Sequence, residues 1–165
     1  MAVKKILLLG NEDLYKKSEE INRAEIIEVK EIAKDLHYTL MNFREKYKVG
    51  RAIAAPQIGY FKRLIYMNIN DRPTIFINPK LQYLDNEMME VWDDCMSFPN
   101  LLVKVKRYKR IKIYYKDLDW KDNILELEGD LSELLQHEYD HLDGILAVSK
   151  AIDGRSFKIK DSLNQ

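Results

Sequence analysis

Cysteine is nearly absent from this chain, since Cys95 is the single one among 165 residues. One cysteine cannot form an intramolecular disulfide, so a secreted scaffold built on disulfides is excluded and a reducing compartment is expected. Long apolar runs are also missing, because the run at residues 6–9 leads directly into the polar segment 10–13. That run is too short for a membrane span or for the apolar region of a signal peptide, so no membrane partner is expected.

Neither sign of charge dominates the sequence. Twenty-seven Lys and Arg residues balance 27 Asp and Glu residues, which gives a formal net charge of zero. No basic field attracts nucleic acid, and direct nucleic-acid binding is not expected. The four prolines and six glycines are scattered rather than gathered into a linker, so residues 1–165 are expected to form a single domain.

The spacing of apolar residues predicts the secondary structure. Steps of three and four residues between apolar side chains indicate amphipathic helices, and alternation of branched or aromatic residues with polar ones indicates strands. The predicted fold class is α+β, with a long N-terminal helix and mostly antiparallel strands around a central second helix. The predicted elements are a helix over residues 25–47, strands over 64–67, 74–77, 101–105 and 110–116, and a helix over 130–142.

Several residues are predicted to end or begin these elements. Asn78 and Pro79 should break the strand that precedes them, because proline cannot donate a hydrogen bond to the neighbouring strand. Asp130 is the predicted N-cap of the second helix, and Glu133 stands three residues later as its capping partner. Gly144 is the predicted stop at the other end of this helix.

Two histidines in the second predicted helix suggest a metal site. The four-residue step places His137 and His141 on one face, one turn apart, where both can bind one ion. The alternative is an ordinary solvated pair. A catalytic site needs at least one further protein ligand, for which the sequence offers Cys95, Asp143 and Glu133. Thiolate is the strongest of these ligands for a late transition metal, whereas an inert core thiol is the commonest fate of a lone cysteine.

Three segments resemble, in order, the three signature motifs of the peptide deformylases, metallohydrolases that remove the formyl group from N-terminal formylmethionine. Residues 50–57 resemble the first motif, in which glycine, a hydrophobic residue and a second glycine precede a segment ending in glutamine. Residues 93–97 resemble glutamate, glycine, cysteine, leucine, serine. Residues 136–141 match glutamine, histidine, glutamate, two residues and histidine without change. The order and the spacing make the resemblance specific.

The resemblance implies roles for the matching positions. It implies one divalent metal ion per chain, typically Fe(II), with Zn(II), Ni(II) or Co(II) able to replace it. Glu138 would take a proton from water and deliver it to the leaving amine; the alternative is a solvated helix charge. The side-chain amide of Gln57 and the backbone N–H of Met96 would stabilise the oxyanion. The implied metal ligands are Cys95, His137 and His141.

The loop around the cysteine departs from the family pattern. Asp93 stands where the family has glutamate, and by resemblance it would pair with Arg107 and brace the loop. Asp94 replaces a glycine where the family uses backbone to contact substrate. A positive φ at Asp94 would be strained.

The first motif departs at Arg51 and Ala52. Arg51 replaces a hydrophobic residue that in the family faces the pocket for the methionine side chain, and Ala52 replaces a glycine. Glu133 lies one turn before His137, and we expect it to pair with Arg51. Such a pair would narrow or polarise the pocket and weaken the preference for methionine. Arg51, Ala52, Asp94 and Glu133 are therefore the predicted substrate-binding residues.

The leading prediction is a metal-dependent deformylase that acts on N-formylated nascent peptides in a bacterial-type cytoplasm. Association with the ribosome is left open by the polar tail that follows residue 150. A second hypothesis is a related amidase with an altered pocket. A third is a catalytically impaired, deformylase-like protein that binds peptides. The histidine spacing alone also suggests a metalloprotease, which a cysteine ligand disfavours.

Overall fold

The computed structural model describes residues 2–160, and its strands form two antiparallel sheets. The larger sheet has five strands in the order β1-β2-β3-β6-β7, and the smaller has three in the order β4-β5-β8. The α+β class predicted from the sequence is confirmed. The strands are Ala52–Ala54 (β1), Leu64–Ile69 (β2), Arg72–Tyr83 (β3), Met88–Asp93 (β4), Leu101–Tyr108 (β5), Arg110–Lys116 (β6), Asp122–Glu128 (β7) and Phe157–Ile159 (β8).

The first helix, α1, covers Ile26–Tyr47, within one residue of the predicted range. A short 3-10 turn at Arg23–Glu25 leads into it, and the side chain of Asn22 accepts a hydrogen bond from the Ala24 N–H there. Its apolar face packs on β1 and β2 and forms one part of the core. Fully buried side chains of this contact include Leu36, Leu40, Ile53 and Leu64.

The β2-β3 hairpin differs from prediction in the length of its second strand. Asn70 and Asp71 form a two-residue turn, and both have a positive φ, as turns of this kind require. The strand β3 does not end at Asn78 and Pro79 but continues beyond them through a register shift between Ile77 and Lys80. A bulge tolerates proline because the bulged residue leaves the hydrogen-bond ladder. The prediction that these residues end the strand was wrong.

The second helix, α2, covers Asp130–Leu142, as predicted. Its predicted N-cap was wrong, because Gly129 occupies that position with a φ of 64° and no side chain caps the helix there. The Glu133 side chain instead lies near Arg51, with Oε2 3.6 Å from Arg51 Nη2. At the other end Gly144 has a φ of 71°, and an added Cβ there would collide with the backbone carbonyl of Tyr15. This close approach holds the end of α2 against the N-terminal segment.

The helix α2 lies between the two sheets and is fixed to both. Leu135 and Leu142 pack with Phe76, Ile111 and Ile113 of the larger sheet, and all five are fully buried. Towards the smaller sheet, the Gln136 side chain donates to the Tyr108 carbonyl at 2.7 Å and accepts from the Tyr108 N–H at 3.0 Å. The face of α2 that carries His137 and His141 is therefore fixed in position by both sheets.

The smaller sheet carries the cysteine loop. Its strand β4 pairs with β5 along its whole length and ends at Asp93, two residues before Cys95. After α2, residues 145–160 contain a 3-10 turn at Ala147–Lys150 and the short strand β8 but no α-helix. None of the helices among residues 2–160 combines the length and the apolarity that are needed to span a bilayer.

Candidate metal centre

Two imidazoles of α2 point into one buried space. The Nε2 atoms of His137 and His141 lie 3.2 Å apart, and both side chains are buried. Their rings are nearly perpendicular, with centroids separated by 4.9 Å. The helical step of four residues alone places these rings on one face, and the packing of α2 between the sheets removes them from water. The solvated pair considered from the sequence is therefore excluded.

Cys95 completes a three-ligand cluster. Its Sγ lies 3.3 Å from His141 Nε2, and the three candidate ligand atoms all lie within 4.8 Å of one another. Bonds of about 2.0–2.1 Å to nitrogen and 2.3 Å to sulfur put tetrahedral ligand atoms roughly 3.3–3.6 Å apart. Two imidazole nitrogens and a thiol with this spacing suit a late divalent transition metal and leave a fourth position free.

The other two candidates for third ligand have different partners. Asp143 accepts a hydrogen bond from Arg63 Nη1 at 2.9 Å, and Glu133 Oε2 lies 3.6 Å from Arg51 Nη2. Among the residues that the structure describes, only Cys95 joins the histidines in a possible metal group.

A buried ion-pair network orients His137. Its Nδ1 lies 3.1 Å from Asp93 Oδ2, which also accepts from Arg107 Nη2 at 2.6 Å. Burial disfavours the ionised form of Asp93, but hydrogen bonds from His137 and Glu133 and the charge of Arg107 hold its pKa well below the ordinary value. An ionised carboxylate only accepts hydrogen bonds, so Nδ1 carries the proton and Nε2 is free to bind a metal. The predicted pairing of Asp93 with Arg107 is confirmed.

The network continues beyond the residues singled out in the sequence. Arg107 Nη1 donates to Asp140 Oδ2 at 2.5 Å, and Lys150 contacts the same oxygen at 2.9 Å. Burial lowers the pKa of Arg107, but the charges of Asp93 and Asp140 more than offset this effect and raise it. Asp140 lies on α2 between the two histidines, and nothing in the sequence motif assigns it this role. Its position one residue before His141 is the signal that could have found it.

The cluster favours a positive charge between its ligands. Burial opposes protonation of His137, but the negative charges of Cys95 and Asp93 raise its pKa well above the ordinary value. Burial lowers the pKa of His141 well below it, and positive charge on His137 and Arg107 adds to this shift. A cation shared by the three ligands can supply this charge while both imidazoles stay neutral.

Glu138 faces the same space without a fixed partner. Its side chain is buried, and Oε2 has no hydrogen-bond partner among residues 2–160. Burial raises the pKa of Glu138 from 4.5 to about 7. A carboxyl group of this kind can take up and release a proton near neutral pH. This environment excludes the alternative of a solvated helix charge.

Gln57 approaches the cluster from the 3-10 turn Ala55–Ile58, which follows β1. Its Oε1 accepts from the Ala54 N–H at 2.9 Å, which fixes the orientation of the amide. Its Nε2 therefore points to Ser97 Oγ at 3.1 Å and Cys95 Sγ at 3.5 Å. Met96 directly follows Cys95 and lines the same cavity.

A cavity of about 220 Å³ opens beside the cluster. Arg51 Nη2 and Glu133 Oε2 lie 3.6 Å apart in it, so the predicted pair is present. Asp94 lies at the rim, paired with Lys160 at 3.2 Å, and it is not among the residues with positive φ. The strain that a positive φ would cause at this position therefore does not arise. Besides the cluster, the lining includes all four predicted substrate-binding residues, Arg51, Ala52, Asp94 and Glu133, and five that were not predicted, Phe43, Val49, Gly50, Leu134 and Lys160.

Glu133 and Glu138 both lie on α2 but have different surroundings. Glu138 is buried, whereas 12% of the Glu133 side chain is exposed. Partial burial and the neighbouring Asp93 raise the pKa of Glu133 to about 9. This shift favours the neutral form of Glu133.

Known sequences similar to this chain are peptide deformylases. A family model described as polypeptide deformylase matches residues 3–156. The peptide deformylase of Dictyoglomus thermophilum is 32% identical over 151 residues, which cover 92% of this chain and 94% of that protein. Peptide deformylase 1 of Prochlorococcus marinus is 35% identical and covers 95% of this chain and 85% of its own length.

Solved structures agree with the sequence comparison. The crystal structure of peptide deformylase from Thermotoga maritima superimposes with a TM-score of 0.83 at 28% identity, covering 93% of this chain and 100% of that one. A peptide deformylase from Synechococcus elongatus in complex with actinonin gives 0.83 at 27% identity, covering 92% of this chain and 80% of that one.

Proposed function

Because the chain belongs to the polypeptide deformylase family, whose members remove the formyl group from N-terminal methionine, we propose that Cys95, His137 and His141 hold its catalytic metal ion. The observation that carries this proposal is the convergence of their three ligand atoms beside the buried carboxyl of Glu138. The family match over residues 3–156 supports the further proposal that residues 1–165 form one deformylase-like unit.

One divalent ion per chain suits this donor set. Imidazole and thiolate ligands suit Fe(II), Zn(II), Ni(II) and Co(II), and the cluster contains no carboxylate. Among these ions, the resemblance to the family implies Fe(II) in vivo, with the others as substitutes. When bound, such an ion supplies Lewis-acid chemistry, which polarises a carbonyl oxygen and makes water a usable nucleophile near neutral pH.

Glu138 acts as the proton carrier of the hydrolysis. Its ionised carboxylate accepts a proton from the attacking water, and the protonated acid then delivers this proton to the nitrogen of the scissile amide. The C–N bond breaks, and the products are formate and a free amine. A pKa of about 7 suits both directions of transfer.

Gln57 and Met96 stabilise the negative charge that develops on the formyl oxygen. The Gln57 Nε2 is held beside Cys95 by the hydrogen bond between its Oε1 and the Ala54 N–H. A preoriented amide donor stabilises an oxyanion without reorganisation during the reaction. The backbone N–H of Met96 is the proposed second donor, because this residue lines the cavity next to Cys95.

Asp93 and Arg107 act through His137. Asp93 fixes the proton of His137 on Nδ1, and Arg107 keeps Asp93 ionised. Partners of this kind hold a ligand in its metal-binding tautomer. We therefore assign both as positioning residues.

The substrates are N-formylated nascent peptides, bound through the cavity that Arg51, Ala52, Asp94 and Glu133 line. We place the reaction in a bacterial-type cytoplasm, where ribosomes supply such chains. The impaired, peptide-binding alternative is disfavoured by the intact arrangement of Glu138, Gln57 and the metal cluster. The altered amidase differs from the main proposal only in the pocket.

Turnover of formyl-Met-Ala-Ser by the Fe(II)-loaded protein under anaerobic conditions tests this function. We expect release of formate and a metal-to-chain ratio of one. Glu138→Gln should keep the metal and lose turnover by about 10³-fold or more, since it removes the proton carrier. Glu45→Gln, at an exposed position on α1, is the matched control and should retain activity. Equal turnover by Glu138→Gln and the wild type would contradict the proposal.

A further inference from the structure

Part of the cavity wall beside the metal ligands is formed by Arg51 and Glu133, which share the lining with the apolar side chains of Phe43 and Leu134. The same space that contains Cys95, His137 and Glu138 extends to Arg51 and Glu133. The formyl group carries only two heavy atoms. When it lies at the metal cluster, the residue attached to its nitrogen must therefore extend into the rest of this space.

The guanidinium of Arg51 has unused hydrogen-bond donors. Its Nη2 is 3.6 Å from Glu133 Oε2, which is longer than a hydrogen bond, and its side chain remains 41% exposed. No described residue accepts a hydrogen bond from this guanidinium. The wall of the cavity thus presents donors that lack acceptors.

An apolar side chain placed against this wall would remove water from the guanidinium and supply no acceptor in return. Leaving a polar group desolvated and unpaired is costly, whereas a side chain that ends in an oxygen acceptor replaces the lost water. A planar carboxamide or carboxylate also fits the fork of a guanidinium. Methionine offers only a thioether, a weak acceptor.

We propose that Arg51 and Glu133 determine specificity, and that this deformylase favours formylated substrates whose first side chain ends in a hydrogen-bond acceptor, such as glutamine or glutamate, over methionine. This inference rests on the proposed deformylation at the neighbouring metal cluster. Glu133 adds a polar side chain to the lining of the pocket, and Arg51 supplies the hydrogen-bond donors. Glutamine tests the acceptor alone, and glutamate adds a negative charge.

A set of four peptides of matched length separates polarity from size. The holoenzyme is assayed with formyl-Xaa-Ala-Ser, where Xaa is methionine, norleucine, glutamine or glutamate. We expect kcat/KM for formyl-Gln to exceed that for formyl-Met. In Arg51→Met the ratio should change by at least about tenfold in favour of methionine and norleucine, since the donors are gone and the unbranched stem is kept.

A charge-matched control uses Lys46→Met, which removes one positive charge from an exposed position of α1 outside the cavity. Its ratio should equal that of the wild type. A wild-type kcat/KM for formyl-Met equal to or above that for formyl-Gln would overturn the proposal. So would an unchanged ratio in Arg51→Met.

Binding separates this inference from the proposed function. The metal-loaded Glu138→Gln variant keeps the pocket, and its affinity for the formyl-Gln and formyl-Met peptides is measured by calorimetry. Tighter binding of formyl-Gln, lost in Arg51→Met/Glu138→Gln, supports the specificity proposal even if the wild type hydrolyses no formylated peptide. In that case the proposed deformylase function is contradicted, but the specificity proposal is not. Tighter binding of formyl-Met would overturn the specificity proposal whatever the activity.

Discussion

Two parts of one cavity wall are built differently. In one part, Cys95 and the two histidines converge, and Asp93 and Arg107 form a buried network behind them. In the other, the guanidinium of Arg51 lies near Glu133 without a hydrogen bond. In our proposals, hydrolysis uses the first arrangement for any formylated substrate, whereas Arg51 contacts the side chain that varies between substrates. The comparison therefore separates the proposed chemistry from the proposed selectivity.

The largest effect should come from removing the charge behind the metal ligands. Asp93→Asn would leave Arg107 buried with one of its two carboxylate partners gone and would release the tautomer of His137. We expect unfolding free energy to fall by about 3–5 kcal/mol and metal affinity to fall by about 10- to 100-fold. Denaturant unfolding and competition with a chelator measure the two effects.

Asp93→Glu is the charge-matched control for this prediction, and it introduces the residue that the motif leads one to expect. It should recover most of the metal affinity. If Asp93→Asn binds metal as tightly as the wild type, the buried network is not what orients His137.

The next largest effect concerns Glu138, which we propose is required for catalysis but which should lower the stability of the folded protein. Because burial raises the pKa of Glu138 to about 7, folding is penalised when this carboxyl is ionised. The penalty is small below its ordinary value of 4.5, grows as the pH rises towards 7, and is constant above that. In the metal-free protein, Glu138→Gln should therefore be more stable than the wild type by about 3 kcal/mol at pH 8 and by about 1 kcal/mol at pH 5.

Urea unfolding at the two pH values measures this difference. Glu45→Gln again serves as control, since Glu45 is exposed and its replacement should leave stability nearly unchanged. If the difference in unfolding free energy between Glu138→Gln and the wild type is the same at both pH values, the pKa of Glu138 is not raised.

A smaller effect is expected where α2 ends. Gly144→Ala should lower the unfolding free energy by about 2 kcal/mol, because φ is positive there and the new Cβ meets the carbonyl of Tyr15. Gly154→Ala is the matched control, because its Cβ would enter open space and its φ is not positive. Thermal unfolding measures both. Equal midpoints for the two variants would show that this approach does not fix the end of α2.

The smallest effect belongs to the rim of the pocket. Asp94 and Lys160 are partly exposed, and ion pairs of this kind contribute less than about 1 kcal/mol. We expect Lys160→Ala to leave stability and metal content unchanged and to alter KM for formylated tripeptides by only a few fold. A loss of metal in Lys160→Ala would contradict the claim that the ion pair at the rim does not affect the metal ligands.

Elements whose sequence pattern is local were predicted, and elements that depend on long-range contacts were not. The helix α2 was predicted within one residue because its apolar residues recur at helical spacing, and β6 was predicted because its residues alternate. The strand β4 was not predicted, because its alternation is weak and its pairing with β5 is a long-range contact. The extension of β3 past Pro79 depends on a bulge, which the local sequence does not encode.

The site shows the same division. The step between His137 and His141 is local, whereas the choice of Cys95 over Asp143 and Glu133 needed the resemblance to a family. The pairing of Arg51 with Glu133 was anticipated because Arg51 replaces a hydrophobic pocket residue and Glu133 lies one turn before His137. The roles of Asp140 and Lys160 were not predicted, because they arise only when α2 and the C-terminal segment pack against the smaller sheet.

The most direct test of the metal centre is X-ray absorption spectroscopy of the protein loaded with one equivalent of Fe(II) or Zn(II). Our assignment predicts one sulfur ligand near about 2.3 Å and two imidazole nitrogens. The sulfur contribution should disappear in Cys95→Ser and persist in Glu138→Gln. A wild-type spectrum with only nitrogen and oxygen ligands would contradict the assignment of Cys95, and with it the proposed catalytic centre.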